Sequence, residues 1–196
     1  MQPNQFILAS ESPRRKLLLM EMEIDFEIQA SNVIENDSPD LDPKKLVLNN
    51  ALLKANSVAK SNPNALVLGS DTTVALEGKI FPKPKDFKSA TFMLGSLSGK
   101  WHSVYTSIAL VWNLGKFQET LVDVSRVLFK ELSLEAIKEY HQLVYPLDKA
   151  GGYGIQEYSE MIIEKTEGSI ETIMGLPTQS LLALLKKHGF EFKLYD

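Results

Sequence analysis

A chain of 196 residues, 44% apolar and 23% charged, is long enough to bury a sizeable core, as a single domain over 1–196 that can form two lobes around a cleft. Its formal charge of −4, from 21 basic and 25 acidic side chains, argues against a protein that coats nucleic acid by neutralising many phosphates; a small, locally basic site remains compatible with it. The absence of cysteine excludes disulfides, thiolate metal centres and a cysteine nucleophile, and makes a reducing cytoplasm the expected location.

The N-terminus lacks a basic segment followed by a long apolar core, and no apolar run approaches the roughly 18 residues of a membrane span, so neither export nor embedding is expected. Gln5 to Ala9 is predicted as a first strand. Ser12 then suits an N-cap and Pro13 a first helical position, which starts a helix running to Met22. A short strand follows at Phe26 to Gln29, and the Asn-, Asp- and Pro-bearing stretch from Ser31 to Pro43 is a surface loop. From Pro43 to Lys60 the apolar residues Leu48, Ala51, Leu52, Ala55, Val58 and Ala59 keep helical spacing.

Ala65 to Ser70 is a short, continuously apolar run that predicts a doubly buried strand, with Gly69-Ser70-Asp71-Thr72 at its carboxyl end. Thr73 to Leu76 and Glu77-Gly78-Lys79 make a hairpin arm; Pro82 and Pro84 then forbid a regular strand, and Asp86 caps a further helix. Val104 to Val111 and Gln118 to Phe129 form an antiparallel pair, and Ser133 opens a helix with Glu135 in its first turn. A glycine-rich loop spans Ala150 to Gln156, strands are expected at Met161 to Lys165 and Ile170 to Met174, and a last helix runs from Thr178 to His188. Mixed βα units and hairpins give an α/β (α+β) fold with a mixed sheet flanked by helices.

Several residues are candidates for chemistry, each with two readings. Arg14 and Arg15 sit in the first turn of their helix, where cations oppose the macrodipole unless an anion is bound; they are either part of a phosphate pocket or solvated surface arginines. Asp71 is a cation ligand or general base, or else a turn cap. Lys83 is held between prolines over a phosphate, or is a solvated loop lysine. Lys54 shares a helix with apolar neighbours and reaches from the core edge towards an anion or solvent. Glu35 is a metal ligand or a hydrated loop carboxylate. Gly151-Gly152-Tyr153-Gly154 has the wrong spacing for a dinucleotide fingerprint, and Gly95 to Trp101 the wrong spacing for a P-loop. His102, His141 and His188 lack metal-ligand spacing.

In their order along the chain these pieces resemble the Maf family of nucleoside triphosphate pyrophosphatases. The resemblance rests on Ser10-Glu11-Ser12-Pro13-Arg14-Arg15, Lys54-Ala55, Asp71-Thr72, Lys83-Pro84-Lys85-Asp86, Ser98 to Thr106, Pro146 to Gln156 and Gly175-Leu176-Pro177. It implies a Maf/inosine-triphosphatase-like fold with a substrate cleft, and hydrolysis between the α and β phosphates with a divalent metal, Mg2+ or Mn2+. Arg14, Thr72 and Gln156 resemble the subgroup that acts on dTTP and UTP. The resemblance also implies a link with arrest of septum formation and a homodimer, and it leaves open a nucleotide-binding regulator with little catalysis. On this basis Asp71 is expected as general base and metal ligand, with Glu35 as a second carboxylate. Arg14, Arg15, Lys54 and Lys83 would neutralise the triphosphate, Ser10 and Ser12 would add hydroxyls, and Thr72 and Gln156 would address the base or sugar. Four features depart from the family pattern: Glu11, Tyr145, Glu157-Tyr158-Ser159-Glu160 and Thr172.

Overall fold

The computed structural model describes residues 2–38 and 41–192, so Pro39 and Asp40 of the expected loop lie outside the described residues. In chain order the elements are β1 (Phe6–Leu8), α1 (Pro13–Met20), β2 (Glu27–Ile28), α2 (Pro43–Ala59), β3 (Leu66–Leu76), β4 (Lys79–Phe81), α3 (Phe87–Leu97) and β5 (Trp101–Trp112). There follow β6 (Phe117–Phe129), α4 (Leu134–Leu143), a 3-10 turn at Ala150–Gly152, α5 (Ser159–Ile162), β7 (Ile163–Glu167), α6 (Ile170–Met174) and α7 (Thr178–Lys187). Among the described residues seven strands form one sheet in the order β2-β1-β3-β5-β6-β7, with β4 also paired to β3. The β1 pairings are parallel and the others antiparallel, so the mixed α/β sheet expected from the sequence is present. No helix among the described residues is long and apolar enough to cross a membrane.

Alternation along β3 sorts its side chains onto two faces. Leu66 and Leu68 join a core with α1 and α7, through Leu18, Leu19, Leu181 and Leu185. Val74 and Leu76, on the same face further along, join a second core with Leu94 and Leu97 of α3 and Ile137 and Tyr140 of α4. Between the two apolar stretches this face turns polar, at Ser70 and Thr72 of β3 and Thr106 of β5. On the opposite face Val67 packs under Ala51, Ala55 and Val58 of α2. The two cores are the two lobes, and the polar belt marks the cleft between them.

Three expectations are corrected. The strand predicted to stop at Ser70 continues to Leu76, because β5 pairs with it throughout from Val67 to Ala75; Asp71, opposite Ser107, therefore lies mid-strand and caps no turn. Ile170–Met174 is a helix. An apolar run of that length does not separate strand from helix, and here the ends decide: Ser169 accepts from the Thr172 N–H, Glu171 occupies the first turn, and Gly175 closes the C-terminus at φ 113°. Met161 and Ile162 belong to α5, so the strand expected from Met161 starts at Ile163.

The side of β3 away from β5 is interrupted. β1 covers Leu66 to Leu68 and β4 covers Val74 to Leu76, leaving Gly69 to Thr73 with a neighbour on one side only. The cause is local. Continuing the β4 register would set Pro82 opposite Thr73, and proline has no N–H to donate, so the ladder ends at Phe81. Gly69 sits under α2 so closely that a Cβ would stand 2.1 Å from the Ala51 carbonyl oxygen and 2.8 Å from the Ala55 nitrogen. Gly69→Ala must push α2 off the sheet and is expected to lower the unfolding free energy by about 1–3 kcal/mol, read by denaturant titration; an unchanged midpoint would show that the helix is not seated there.

His102 lies in the second core, 2% exposed, edge-on to Phe129 and 2.7 Å from the Tyr153 hydroxyl through Nε2. Burial pushes its pKa down from 6.5 to about 4. The folded protein thus keeps a neutral ring that the unfolded chain protonates below pH 6.5, so this contribution to stability is complete above that pH and lost as pH falls through 4. Between those limits the wild type should lose about 3 kcal/mol more stability than a His102→Gln variant; parallel stability curves would refute a neutral buried His102.

Candidate active site

A cleft of about 360 Å³ opens where the β3 edge is bare. Its first wall is the turn from β1 into α1. Ser12 caps the helix, and Ser10 Oγ accepts from the Ser12 N–H and from Arg15 Nη1, both at 3.2 Å. The Arg15 fork is spent on protein: Nε donates to the Gly175 carbonyl at 2.8 Å and Nη2 to Thr72 Oγ1 at 3.1 Å. Thr72 lies 3.0 Å from Thr106 Oγ1, which donates to the Thr172 carbonyl, and Ser70 Oγ donates to the Gly175 carbonyl. Arg15 and Ser70 thus satisfy the Gly175 carbonyl past the end of α6, and Thr106 adds a second donor to the Thr172 carbonyl that the Gly175 N–H also reaches. Burial lowers the Arg15 pKa against the pull of Asp71 and Glu35, and the guanidinium stays protonated. Arg14 instead spans the cleft and meets Asp148 at 3.2 Å.

The floor is the other face of β3. Asp71, 7% exposed, points towards α2, where Lys54 Nζ stands 2.9 Å from its Oδ1 and Asn50 Nδ2 donates to its Oδ2 at 2.9 Å. Lys54 also contacts Glu35 Oε2 at 2.6 Å and donates to the Ser70 carbonyl on the bare strand edge at 3.3 Å. One buried ammonium therefore joins two carboxylates from different parts of the chain. A second cavity of about 230 Å³ reaches the same carboxylates from the side of Asn36 and Asn50. Lys83 borders both cavities, exposed and without an ion-pair partner among the described residues. The far wall carries Lys149, whose ammonium donates to the Tyr145 carbonyl at 2.9 Å and pairs with Asp148 at 2.8 Å.

The donor set suits one kind of metal site. Two carboxylate oxygens already converge on a single cation, Lys54 Nζ, and the cleft leaves room for other ligands; a hard divalent ion that keeps waters or phosphate oxygens fits such a pair. An all-protein cage does not, since no group of three His, Cys, Asp or Glu is placed for one among the described residues.

Of the residues singled out from sequence, Ser10, Ser12, Arg14, Arg15, Glu35, Lys54, Asp71, Thr72 and Lys83 border this one cleft. Gln156 is exposed and stands outside it, while its neighbours Gly154 and Ile155 line it. Glu11 is also on the wall. Sequence reasoning assigned no role to Asn50, Asp148, Lys149 or Tyr153. A signal for Asn50 existed: it lies four residues before Lys54, on the face that buries Val47, Ala51 and Ala55.

Comparison with known proteins finds relatives along nearly the whole chain. The model of the family described as Maf-like protein matches residues 5–188. A dTTP/UTP pyrophosphatase of Thermosipho africanus is 44% identical over 188 residues, covering 94% of each chain. One from Bacillus pumilus is 41% identical over 186 residues, covering 95% of this chain and 97% of its own, and one from Thermotoga maritima is 40% identical over 190 residues, covering 95% and 90%.

Proposed function

This chain belongs to the Maf family, and we propose that it is a single-domain nucleoside triphosphate pyrophosphatase that acts on dTTP and UTP. The observation that carries the reading is a buried carboxylate, Asp71, on a bare strand edge at the floor of a cleft lined by Arg14, Arg15, Lys54, Lys83 and Lys149. The relatives named for dTTP and UTP support the substrate class.

In this reading the triphosphate lies along the wall from Ser10 to Arg15. Ser10 and Ser12 hydroxyls and the N–H groups at the start of α1 bind phosphate oxygens, where the helix dipole favours negative charge. Arg14 exchanges Asp148 for a phosphate, its planar fork suiting the oxygens, and Lys83 adds a point charge. Arg15 contributes mainly by fixing Ser10 and Thr72. Asp71 takes a proton from the attacking water, oxygen adds to the α phosphorus, and the α–β bridging bond breaks to release pyrophosphate and the nucleoside monophosphate. A free aspartate, with a pKa of about 3.9, is a weak base, so the reading includes Mg2+ or Mn2+ held by Asp71 and Glu35. Bound there, a divalent ion would lower the pKa of water and offset phosphate charge. Thr72 and Gln156 remain assigned to the base and sugar side. For Gln156, exposed beside the cleft, this requires the loop to move when nucleotide binds. A cytoplasmic homodimer without stable nucleic-acid contacts completes the proposal; the lack of cysteine supports the compartment and the net acidic charge the lack of nucleic-acid contacts, while the dimer rests on the family resemblance alone.

Asp71→Asn should keep nucleotide binding and lose pyrophosphate release from dTTP by about a hundredfold or more; near wild-type turnover with Mg2+ present would remove Asp71 from this role. Arg14→Ala should weaken dTTP and UTP hydrolysis more than that of purine nucleotides. Rates that fall equally on every nucleotide would leave Arg14 a phosphate ligand with no part in selection.

A further inference from the structure

Asn50 is the buried polar residue whose partners are hardest to explain by folding alone. It lies on α2 one turn before Lys54 and is 3% exposed. Asparagine is a poorer helix former than the leucines and alanines around it, and a buried amide is costly unless paired. Its hydrogen bonds all leave the helix. Oδ1 accepts from the Asn36 N–H at 3.0 Å, while Nδ2 donates to the Asn36 carbonyl at 2.8 Å and to Asp71 Oδ2 at 2.9 Å. Its neighbour Lys54 engages the same two places through their charges, Glu35 Oε2 and Asp71 Oδ1. Apart from the Leu41 N–H donating to the Ser38 carbonyl, these contacts of Glu35 and Asn36 are the only hydrogen bonds or ion pairs from Ser31–Ser38 to the rest of the protein among the described residues.

We infer that Asn50 is a positioning residue for the reaction: it fixes the rotation of the Asp71 carboxylate and tethers the Glu35 loop, so that both carboxylates meet at one point in the cleft. The inference rests on the reading of Asp71 as the base. A carboxylate torsion is soft and roughly two-fold, so with Lys54 on Oδ1 as its only partner the carboxylate plane is free to turn, and a second donor on Oδ2 fixes it. With Asn50 in place, Oδ1 is the one presented to Lys54. The amide suits both tasks because it donates and accepts at once, which neither a carboxylate nor a hydrocarbon of the same size can do.

The test uses the full chain with Asn50→Leu, which keeps the heavy-atom count and branching and raises helix propensity, and Asn50→Asp, which keeps shape and the acceptor for Asn36 but loses both donors. In Asn50→Leu, kcat for pyrophosphate release from dTTP should fall about tenfold to a hundredfold with KM within about twofold, the pattern of an outer partner that orients a reacting group. Mn2+ affinity without nucleotide, read by EPR titration, should weaken about tenfold. Asn50→Asp should lose kcat as well, and it decides the matter in the same terms if Asn50→Leu does not fold. Wild-type kcat in a folded variant, or a loss that only tracks the unfolded fraction, overturns the inference. Asp71→Asn measured alongside separates the two claims. If it retains turnover, the reading of Asp71 fails; if it loses turnover while the Asn50 variants keep theirs, only the positioning role fails.

Discussion

Strand β3 has a partner on both sides at Leu68 and at Val74, and on one side only between them; the site depends on that interruption. In an intact sheet Asp71 and Thr72 would face opposite layers with no path between them. At a bare edge one cleft reaches both, so Asp71 can be held by α2 while its neighbour Thr72 is held by Arg15. An unpaired edge is normally a liability, since its backbone groups must find other partners. Here Lys54 takes the Ser70 carbonyl, and the cleft keeps the rest of the edge accessible. The gap also lies beside the carboxyl end of β1, where the chain order of the parallel strands reverses, the position at which open α/β sheets leave a crevice.

The charges follow from this geometry. Burying Lys54 against Asp71, with the exposed Glu35 as its second partner, sets a Coulomb gain against the desolvation of the buried pair, and such an arrangement is weak as a source of stability. It serves placement better. Asp148 similarly meets Arg14 from one wall and Lys149 from the other. Much of the cleft's charge is thus compensated internally, and a polyanion has to displace carboxylates to gain the arginine and the lysines. An incoming cation makes that exchange easier, because it can take over the released carboxylates.

Local chemistry was legible in the sequence wherever one residue decides one feature. Ser12 with Pro13 starts α1, the Asp86 cap starts α3, and Glu77-Gly78 turns the hairpin, both residues with positive φ. What escaped depends on distant partners. The true length of β3 is set by β5, more than thirty residues later, and an apolar run ending in Gly-Ser-Asp gives no hint of it. Ile170–Met174 has the composition of a strand, and its helix is secured by caps and by hydroxyl donors on two strands, Thr106 of β5 and Ser70 of β3, that meet carbonyls at its C-terminal end. Asn50 was hidden because periodicity weighs apolar residues and passes over a polar one at the same spacing. The opening motif, by contrast, predicted the cleft wall residue by residue, because a cap, a proline and two arginines act within a single turn.

That motif also shows how adjacent, identical side chains come to differ. Two arginines in the first turn of α1 both oppose the helix dipole, and both need compensating oxygens. Arg15 finds neutral ones: the Gly175 carbonyl and the hydroxyls of Ser10 and Thr72, which tie the first turn to the end of α6 and to β3. These contacts leave its positive charge unneutralised at short range, with Asp71 and Glu35 acting on it through space. Arg14 finds a carboxylate on the opposite wall, half-exposed and shared with Lys149. The first arrangement is rigid and keeps a standing field directed at the cleft; the second is an ion pair that an anion can replace. A site that must recognise several phosphates and still release its products needs both, and neighbouring positions on one helical turn supply them because their side chains diverge by about 100°.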